Sequence, residues 1–198
     1  AAELSTSFHG YETLRFSSTV RALLVAGEPR DVACAGDSVE VVVDESPFYA
    51  ESGGQAGDRG QILVPGGRVE VADAQRPAGD LVVHRGRVAA GEIRVGDPAE
   101  LEVDALARAA TVRNHSGTHL LHAALRRVLG PQALQKGSLV APDRLRFDFT
   151  HDAPLSREQV AEIEDLANGW IEADAPATVR QMAYPEAIAA GAVAIFEE

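Results

Sequence analysis

The 198-residue sequence contains a single cysteine, Cys34. One thiol excludes a disulfide within the chain and any Cys-x-x-Cys metal site. Because alanines flank Cys34 in a strand-like segment, we expect a small buried thiol there. The sequence also lacks an apolar run near the roughly eighteen residues that span a bilayer, and its N-terminus lacks the basic and then apolar layout of a signal peptide. We therefore expect a soluble, cytoplasmic globular protein with no membrane partner.

Positive charge is scarce, and the formal net charge is −12. This balance argues against a protein that grips nucleic acid over its whole surface, because phosphate neutralisation needs clustered cations. Any nucleic-acid contact must be local. One segment gathers several cations and forms either a basic patch or a set of solvated charges. These cations are Arg108, Arg113, Arg126, Arg127, Lys136, Arg144 and Arg146.

Short β-rich runs occupy residues 1–103, and Gly, Pro and Asp turns separate them. Many short strands at this spacing, with no helical pattern between them, predict a small barrel or sandwich. His84 alternates with apolar positions in one run, so we interpret it as a structural residue. The predicted strands are residues 18–25, 38–43, 61–64, 68–71, 81–84 and 99–103.

The hydrophobic period changes at Asp104, which is a good N-cap for a helix. We expect this helix to bend or restart around residues 114–117 and then to run to Leu129, where a Gly-Pro pair stops it. Further strands and helices predict an α+β second half. They are strands over 137–140, 144–149 and 178–182, a helix capped by Ser156 that runs past Trp170, and a short helix over 184–191.

Two histidines stand one helical turn apart in the segment Arg113–His122. His115 and His119 lie about 40° apart around the axis and about 6 Å apart along it, so both imidazoles can meet one ion. His122 lies about 10 Å along the axis from His115, too far to join them. The pair is either a metal site or an incidental feature of the helix. A zincin-type protease needs a glutamate after the first histidine, and the serine in that position argues against protease chemistry.

A second unusual segment, Ser46–Gly60, ends with four glycines among eight residues. Glycine permits positive φ and close backbone approach. Such a loop can direct its amides or the Gln55 side chain toward a polar ligand. A glycine-rich hairpin turn in a small β domain is the competing interpretation.

Four sequence blocks occur in a fixed order along the chain. They are residues 47–55 (PFYAESGGQ) with Gly57-Asp58-x-Gly60, residues 114–122 (NHSGTHLLH), residues 135–140 (QKGSLV) with 143–149 (DRLRFDF), and residues 191–196 (GAVAIF). With Phe8-x-Gly10-Tyr11 near the start, these blocks resemble the editing region of alanyl-tRNA synthetases and of related free-standing alanyl-tRNA editing proteins. The resemblance extends over nearly the whole chain.

The resemblance implies a fold and a reaction. The fold is a small β-barrel-like subdomain over residues 1–103, which bears the glycine-rich loop, followed over residues 104–198 by an α+β editing core like that of threonyl-tRNA synthetases. The reaction is hydrolysis of the ester that joins serine or glycine to tRNA(Ala), the implied partner. A second site is useful because a synthetic pocket sized for a methyl group cannot reject glycine by size and discriminates weakly against one extra hydroxyl.

The resemblance also implies a zinc site with His115 and His119 as ligands. Zinc sites usually need three or four protein donors, and the family completes its site with a Cys-x-x-x-His element after the 191–196 block. The sequence ends at Glu198 before such an element, and Cys34 does not match the missing cysteine. We therefore expect the zinc site to be incomplete here and the chain to be continuous with a larger synthetase.

The other candidate residues lie near the substrate in the family. Thr118 and Gln135 are expected to act catalytically by hydrogen-bonding the serine hydroxyl or the attacking water, although Thr118 as an ordinary helix residue is the alternative. The loop residues Gly53, Gly54 and Gln55 are expected to bind the substrate.

A function of another class competes with editing. The alternative interpretation is a non-catalytic module of the same fold that docks the tRNA acceptor end or another protein. The incomplete zinc site is the sequence feature that keeps this alternative open. Continuation of the reading frame into Cys-x-x-x-His would favour the editing hydrolase.

Overall fold

The β-rich N-terminal half folds into a closed sheet in the computed structural model, which describes residues 4–192. Its described strands are β1 Ser7–Phe8, β2 Arg15–Val25, β3 Glu28–Arg30, β4 Val32–Cys34, β5 Ser38–Val43, β6 Glu45–Ser46, β7 Gly60–Val64, β8 Gly67–Ala78, β9 Leu81–Arg94 and β10 Pro98–Val103. Six of them pair antiparallel in the order β10, β7, β8, β9, β5, β2, and β10 also pairs with β2. This last pairing closes a barrel, which removes open sheet edges. The predicted α+β fold with a small N-terminal barrel is confirmed.

The barrel strands direct alternate apolar side chains inward, where they form one buried cluster. His84 lies among them with no exposed surface. Its Nδ1–H donates to the Val41 carbonyl at 3.0 Å, and its Nε2 accepts from the Ser46 hydroxyl at 2.7 Å. Both ring nitrogens are therefore satisfied, which confirms His84 as a structural residue.

Strands β8 and β9 are much longer than the predicted runs 68–71 and 81–84. Their pairing contains register shifts between Arg68 and Val69, between Val71 and Asp73, and between Gln75 and Ala78. Each shift breaks the two-residue alternation by which a half-buried strand is recognised. The sequence pattern therefore revealed only the regular part of this hairpin.

Helix α1, Ala105–Leu129, runs through both the alanine-rich segment and the histidine segment. Asp104 caps it, because its Oδ1 accepts from the amides of Leu106 and Ala107 at 3.0 Å each. The predicted restart at residues 114–117 is wrong, since the helix is continuous there, while the alternative of a bend stays a prediction. One helical glycine costs only about 1 kcal/mol relative to alanine, which neighbouring packing can offset. The helix stops as predicted, at Gly130 with a φ of +101°.

The later elements form a smaller core. Strands β11 Gln135–Val140 and β12 Leu145–Phe149 pair with each other, and helix α2 follows over Arg157–Glu172. Ser156 caps α2 with a reciprocal capping box that includes Gln159, as the sequence predicted for this N-terminus. The buried members of this core are Ala124, Leu125, Leu129, Ala133 and Ile163.

The described chain ends less regularly than predicted. The strand expected over 178–182 is wrong, because the described backbone has no strand there and its side chains are exposed. An extended run needs a partner for its backbone hydrogen bonds, and β propensity alone does not provide one. The short helix is confirmed as α3, Tyr184–Ala189. Residues 193–196 of the last sequence block lie outside the described residues.

The chain divides into two compact units. The barrel unit comprises the chain up to Asn114 together with Leu139–Arg144, and the second unit comprises His115–Ser138 and the chain from Leu145 onward. The last barrel strand ends at Val103, while the predicted domain boundary between 103 and 104 stays a prediction. Within residues 4–192, no helix is long and apolar enough to cross a membrane.

The expected burial of Cys34 is wrong. Its side chain is exposed at the end of the short strand β4. Ala33, its neighbour, has no exposed surface. Because successive strand residues point to opposite faces, the inward Ala33 directs Cys34 outward.

Candidate functional site

The two candidate metal ligands meet on one face of α1. Their Nε2 atoms, in His115 and His119, lie 3.1 Å apart, and their ring centroids lie 5.0 Å apart. Both residues are exposed. One turn of uninterrupted helix places the rings side by side, so the continuity of α1 is what creates the pair.

Partial burial favours the neutral form of His115. Partial burial, and then the neighbouring charge of His119, lower the pKa of His115. A neutral imidazole nitrogen is the form that binds metal ions. The His115 imidazole is therefore suited to bind a cation near neutral pH.

His122 contacts a different residue from the two histidines of this pair. Its ring packs against Phe147 with centroids 5.0 Å apart. Its buried Nε2 has no hydrogen-bond partner among the described residues, and burial is the main cause that lowers its pKa. These observations are consistent with a neighbour of the pair that has a packing role.

The described residues supply two ligands and no more at one place. Within residues 4–192, no group of three or more His, Cys, Asp or Glu side chains is placed to hold one metal ion. The assignment of His115 and His119 to zinc stays a prediction. Its geometric requirement, two imidazole nitrogens that converge, is present.

The glycine-rich segment forms a tight turn in the barrel unit. The amide of Gln55 donates to the Ser52 carbonyl at 2.9 Å, and the amide of Ser52 donates back to the Gln55 carbonyl at 3.2 Å. Gly53 and Gly54 occupy the two central positions with φ values of +58° and +84°. Two consecutive positive φ angles favour glycine at both positions. Gln55, at the end of the turn, is 9% exposed.

The tip of this turn is fixed to the end of β11. The Val140 amide donates to the Gly54 carbonyl at 2.8 Å, and the Ala56 amide donates to the Val140 carbonyl at 2.9 Å. This bridge joins the first and third of the four sequence blocks within one unit. Sequence alone could not show it, because more than eighty residues separate the partners.

The base of the loop is held by an ion pair that the sequence interpretation missed. Arg108 was grouped with the cations of a surface patch, but its side chain is only 13% exposed and pairs with Asp58, which is 6% exposed. Arg108 is therefore not a patch residue, whereas the other members listed below are at least partly exposed. They are Arg113, Arg126, Arg127, Lys136, Arg144 and Arg146. No local sequence pattern indicated this pair, because fifty residues separate Arg108 from Asp58.

The two predicted catalytic residues lie in the second unit. Thr118 is buried on α1, one residue before His119 and three after His115, which places these positions on neighbouring faces of the helix. Gln135 begins β11, and its amide nitrogen donates to the Ser138 hydroxyl at 3.1 Å. Their catalytic roles, like the substrate-binding role of the Gly53–Gln55 turn, stay predictions.

Comparison with known proteins adds a family. The sequence model described as tRNA synthetases class II (A) matches residues 1–107. The Alanine--tRNA ligase of Roseiflexus sp. (strain RS-1) is 52% identical over 193 residues, which cover 98% of this chain and 21% of that protein. The corresponding enzyme of Sorangium cellulosum (strain So ce56) is 55% identical over 179 residues, 90% of this chain and 19% of that protein. The chain thus spans about a fifth of the length of these relatives, and it belongs to the family of class II (A) tRNA synthetases.

Proposed function

We propose that this chain is an editing domain that hydrolyses the ester between tRNA(Ala) and a wrong amino acid, serine or glycine. The observation that carries the proposal is the convergence of the His115 and His119 Nε2 atoms at 3.1 Å, inside a sequence block typical of alanyl-tRNA editing proteins. Relatives named as alanine–tRNA ligases match 98% of the chain. The segment that resembles an editing region therefore occurs in proteins that attach alanine to tRNA.

The two histidines fit part of a zinc site. Two nitrogens bound at about 2.05 Å to a tetrahedral zinc ion stand roughly 3.3 Å apart, close to the 3.1 Å between these Nε2 atoms. His115 and His119 would hold the ion. When bound, zinc would supply Lewis-acid polarisation of the ester carbonyl or of water.

The other residues of the chain position the reactants. A water oxygen bonds to the ester carbonyl carbon, the bond from that carbon to the ribose oxygen breaks, and this oxygen leaves with a proton as a hydroxyl group. Orientation of a reactive ester and a water can supply much of the required acceleration. We assign the hydroxyl of Thr118 and the carboxamide of Gln135 to the serine hydroxyl or the water. The bond from Gln135 to Ser138 fixes the plane of that carboxamide.

The glycine-rich turn would bind the acceptor end of the substrate. Its backbone is held at Val140, so its amides and the Gln55 side chain have defined directions before the substrate arrives. Such preorganisation lowers the entropy that binding must overcome. We assign substrate binding to Gly53, Gly54 and Gln55 on this ground.

The test is His115→Ala in the full-length protein, with the exposed His151→Ala as the matched control. We expect His115→Ala to abolish zinc retention and deacylation of seryl-tRNA(Ala), whereas His151→Ala retains both. Zinc content is measured by elemental analysis, and deacylation by release of labelled serine. Undiminished deacylation by metal-free His115→Ala would refute a metal-dependent role for the pair.

The non-catalytic docking module remains the second candidate, because only two donors converge within the described residues. It predicts tight binding of tRNA(Ala) without acceleration of ester hydrolysis. Binding and hydrolysis measured on the same preparation separate the two functions.

A further inference from the structure

The buried guanidinium of Arg108 donates hydrogen bonds to three separate segments of the barrel unit. Its Nε donates to both carboxylate oxygens of Asp58, at 2.9 and 3.0 Å, and its Nη2 also donates to Asp58. Its Nη1 donates to the Gly10 carbonyl at 2.7 Å, and its Nη2 donates to the Pro47 carbonyl at 2.9 Å. The planar fork of arginine can satisfy these acceptors together, and a lysine ammonium lacks that geometry.

These contacts lie at both ends of the loop that carries Gln55. Pro47 precedes the glycine-rich turn, and Asp58 follows it. Asp58 also accepts the Tyr49 amide at 2.7 Å, while the Asp58 amide donates to the Tyr49 carbonyl at 2.9 Å. Arg108 and Asp58 therefore close the base of the loop, just as the backbone bridge to Val140 holds its tip.

Packing does not fill the flank of the loop on one side. A cavity of about 200 Å³ is bordered there by Ala56, Gly57 and Asp58 from the loop, and by Asp73 and Thr111 among the facing residues. Loop atoms that border this cavity have fewer van der Waals contacts. Elsewhere the loop lies against β8, where the Glu51 amide donates to the Ala74 carbonyl at 2.8 Å and Gly57 leaves no room for a Cβ beside Asp73 and Ala74. The loop position therefore depends on these contacts with β8 and on the hydrogen bonds at its base and tip.

We propose that Arg108 and Asp58 are positioning residues that hold the Gly53–Gln55 turn in its substrate-binding conformation. The inference rests on the proposed editing function, because that function is what gives the turn a substrate. Neither residue needs to touch the tRNA. Both act through the backbone between Pro47 and Asp58.

The test uses Arg108→Lys and Asp58→Asn in the full chain. Lysine keeps the charge but lacks the fork, and asparagine keeps the size but offers one acceptor oxygen. The matched control is Arg59→Lys, whose arginine forms a more exposed pair with Asp104 at 3.2 Å. We measure amide hydrogen exchange in the turn and in the barrel core, and the kcat and KM of seryl-tRNA(Ala) deacylation per folded molecule.

A positioning role predicts a local effect. Exchange at the Gln55 and Ala56 amides should accelerate at least about tenfold in both variants, while the amides of Val41 and Val69 in the barrel keep their rates. The KM should rise about tenfold with a much smaller change in kcat, since lost positioning weakens substrate binding. Arg59→Lys should change neither measurement.

A merely stabilising ion pair would behave differently. It would accelerate exchange in the turn and in the barrel core equally and leave the KM per folded molecule unchanged, and this result would overturn the proposal. If the unmodified chain does not deacylate seryl-tRNA(Ala), the proposed function fails. The exchange comparison would still decide by itself whether the pair positions the turn.

Discussion

The barrel unit buries eighteen apolar residues in one cluster, whereas the second unit buries five in the part of the chain that the structure describes. Large apolar side chains of the second unit also remain exposed, for example Trp170 at 36% and Ile171 at 57%. The closed barrel has a sufficient apolar core of its own, so its glycine-rich loop can contain the buried Arg108–Asp58 ion pair. The histidine pair belongs to the unit with the thinner core, where stability depends more on helix ends and individual contacts.

The largest expected effect is on the barrel core. Phe48 has no exposed surface and meets the His84 ring edge-to-face at 5.1 Å. We expect Phe48→Ala to lower the free energy of unfolding of the barrel by about 3–5 kcal/mol. Urea unfolding is followed by exchange of barrel amides and by fluorescence of Trp170, the only tryptophan.

If the barrel unit and the second unit differ in this way, Phe48→Ala should shift the unfolding transition reported by the barrel amides more than the transition reported by Trp170 fluorescence. Val179→Ala is the control, because its side chain is 98% exposed. Equal shifts of both probes would mean that the two units unfold as one cooperative body, and the contrast between them would then be lost.

The next effect is a pH dependence of the free energy of unfolding, and it is confined to the barrel unit. Burial lowers the pKa of His84 to about 4 from its ordinary value of 6.5. Between these pH values, His84 is therefore protonated in the unfolded chain but not in the folded chain. Stability should hold above pH 6.5 and fall by about 3 kcal/mol as the pH drops to 4.

His84→Gln tests the source of that pH dependence. Glutamine retains hydrogen-bonding capacity but does not titrate, so the variant should lose the slope between pH 6.5 and 4, whatever its stability at neutral pH. Unfolding free energies at several pH values provide the measurement. An unchanged slope would assign the acid sensitivity to other groups.

The smallest effect concerns the second unit. Ser156→Ala removes the hydroxyl that accepts the Gln159 amide at 3.2 Å, and loss of an N-cap costs about 1 kcal/mol. The Trp170 transition should shift, with little change in barrel exchange. Ser156→Asp keeps a capping oxygen and should restore most of the loss, and failure of this rescue would contradict the role of the cap.

Sequence predicted best what depends on neighbouring residues. The Asp104 and Ser156 caps, the stop at Gly130 and the regular strands follow from local periodicity and terminal signals, and the structure confirms them. The length of the β8–β9 hairpin was underestimated because its register shifts break the alternation of apolar and polar residues. The predicted strand over 178–182 failed because local propensity does not supply a partner strand.

For the candidate site, too, contacts within one element were predicted from the sequence and contacts between distant segments were not. Helical spacing predicted the approach of His115 to His119, because both lie on one continuous element. The Arg108–Asp58 pair and the bridge from Gly54 to Val140 join residues far apart in sequence, and no local pattern records them. Arg108 was therefore mistaken for a surface cation.

Release of serine from seryl-tRNA(Ala), compared with release of alanine from alanyl-tRNA(Ala), tests the proposed function most directly. Both rates are measured with the 198-residue chain and with any longer reading frame that encodes it. Editing predicts that serine is released well above its spontaneous rate, while the alanyl ester is spared. Spontaneous rates for both esters in every preparation, or equal acceleration of both, would contradict it.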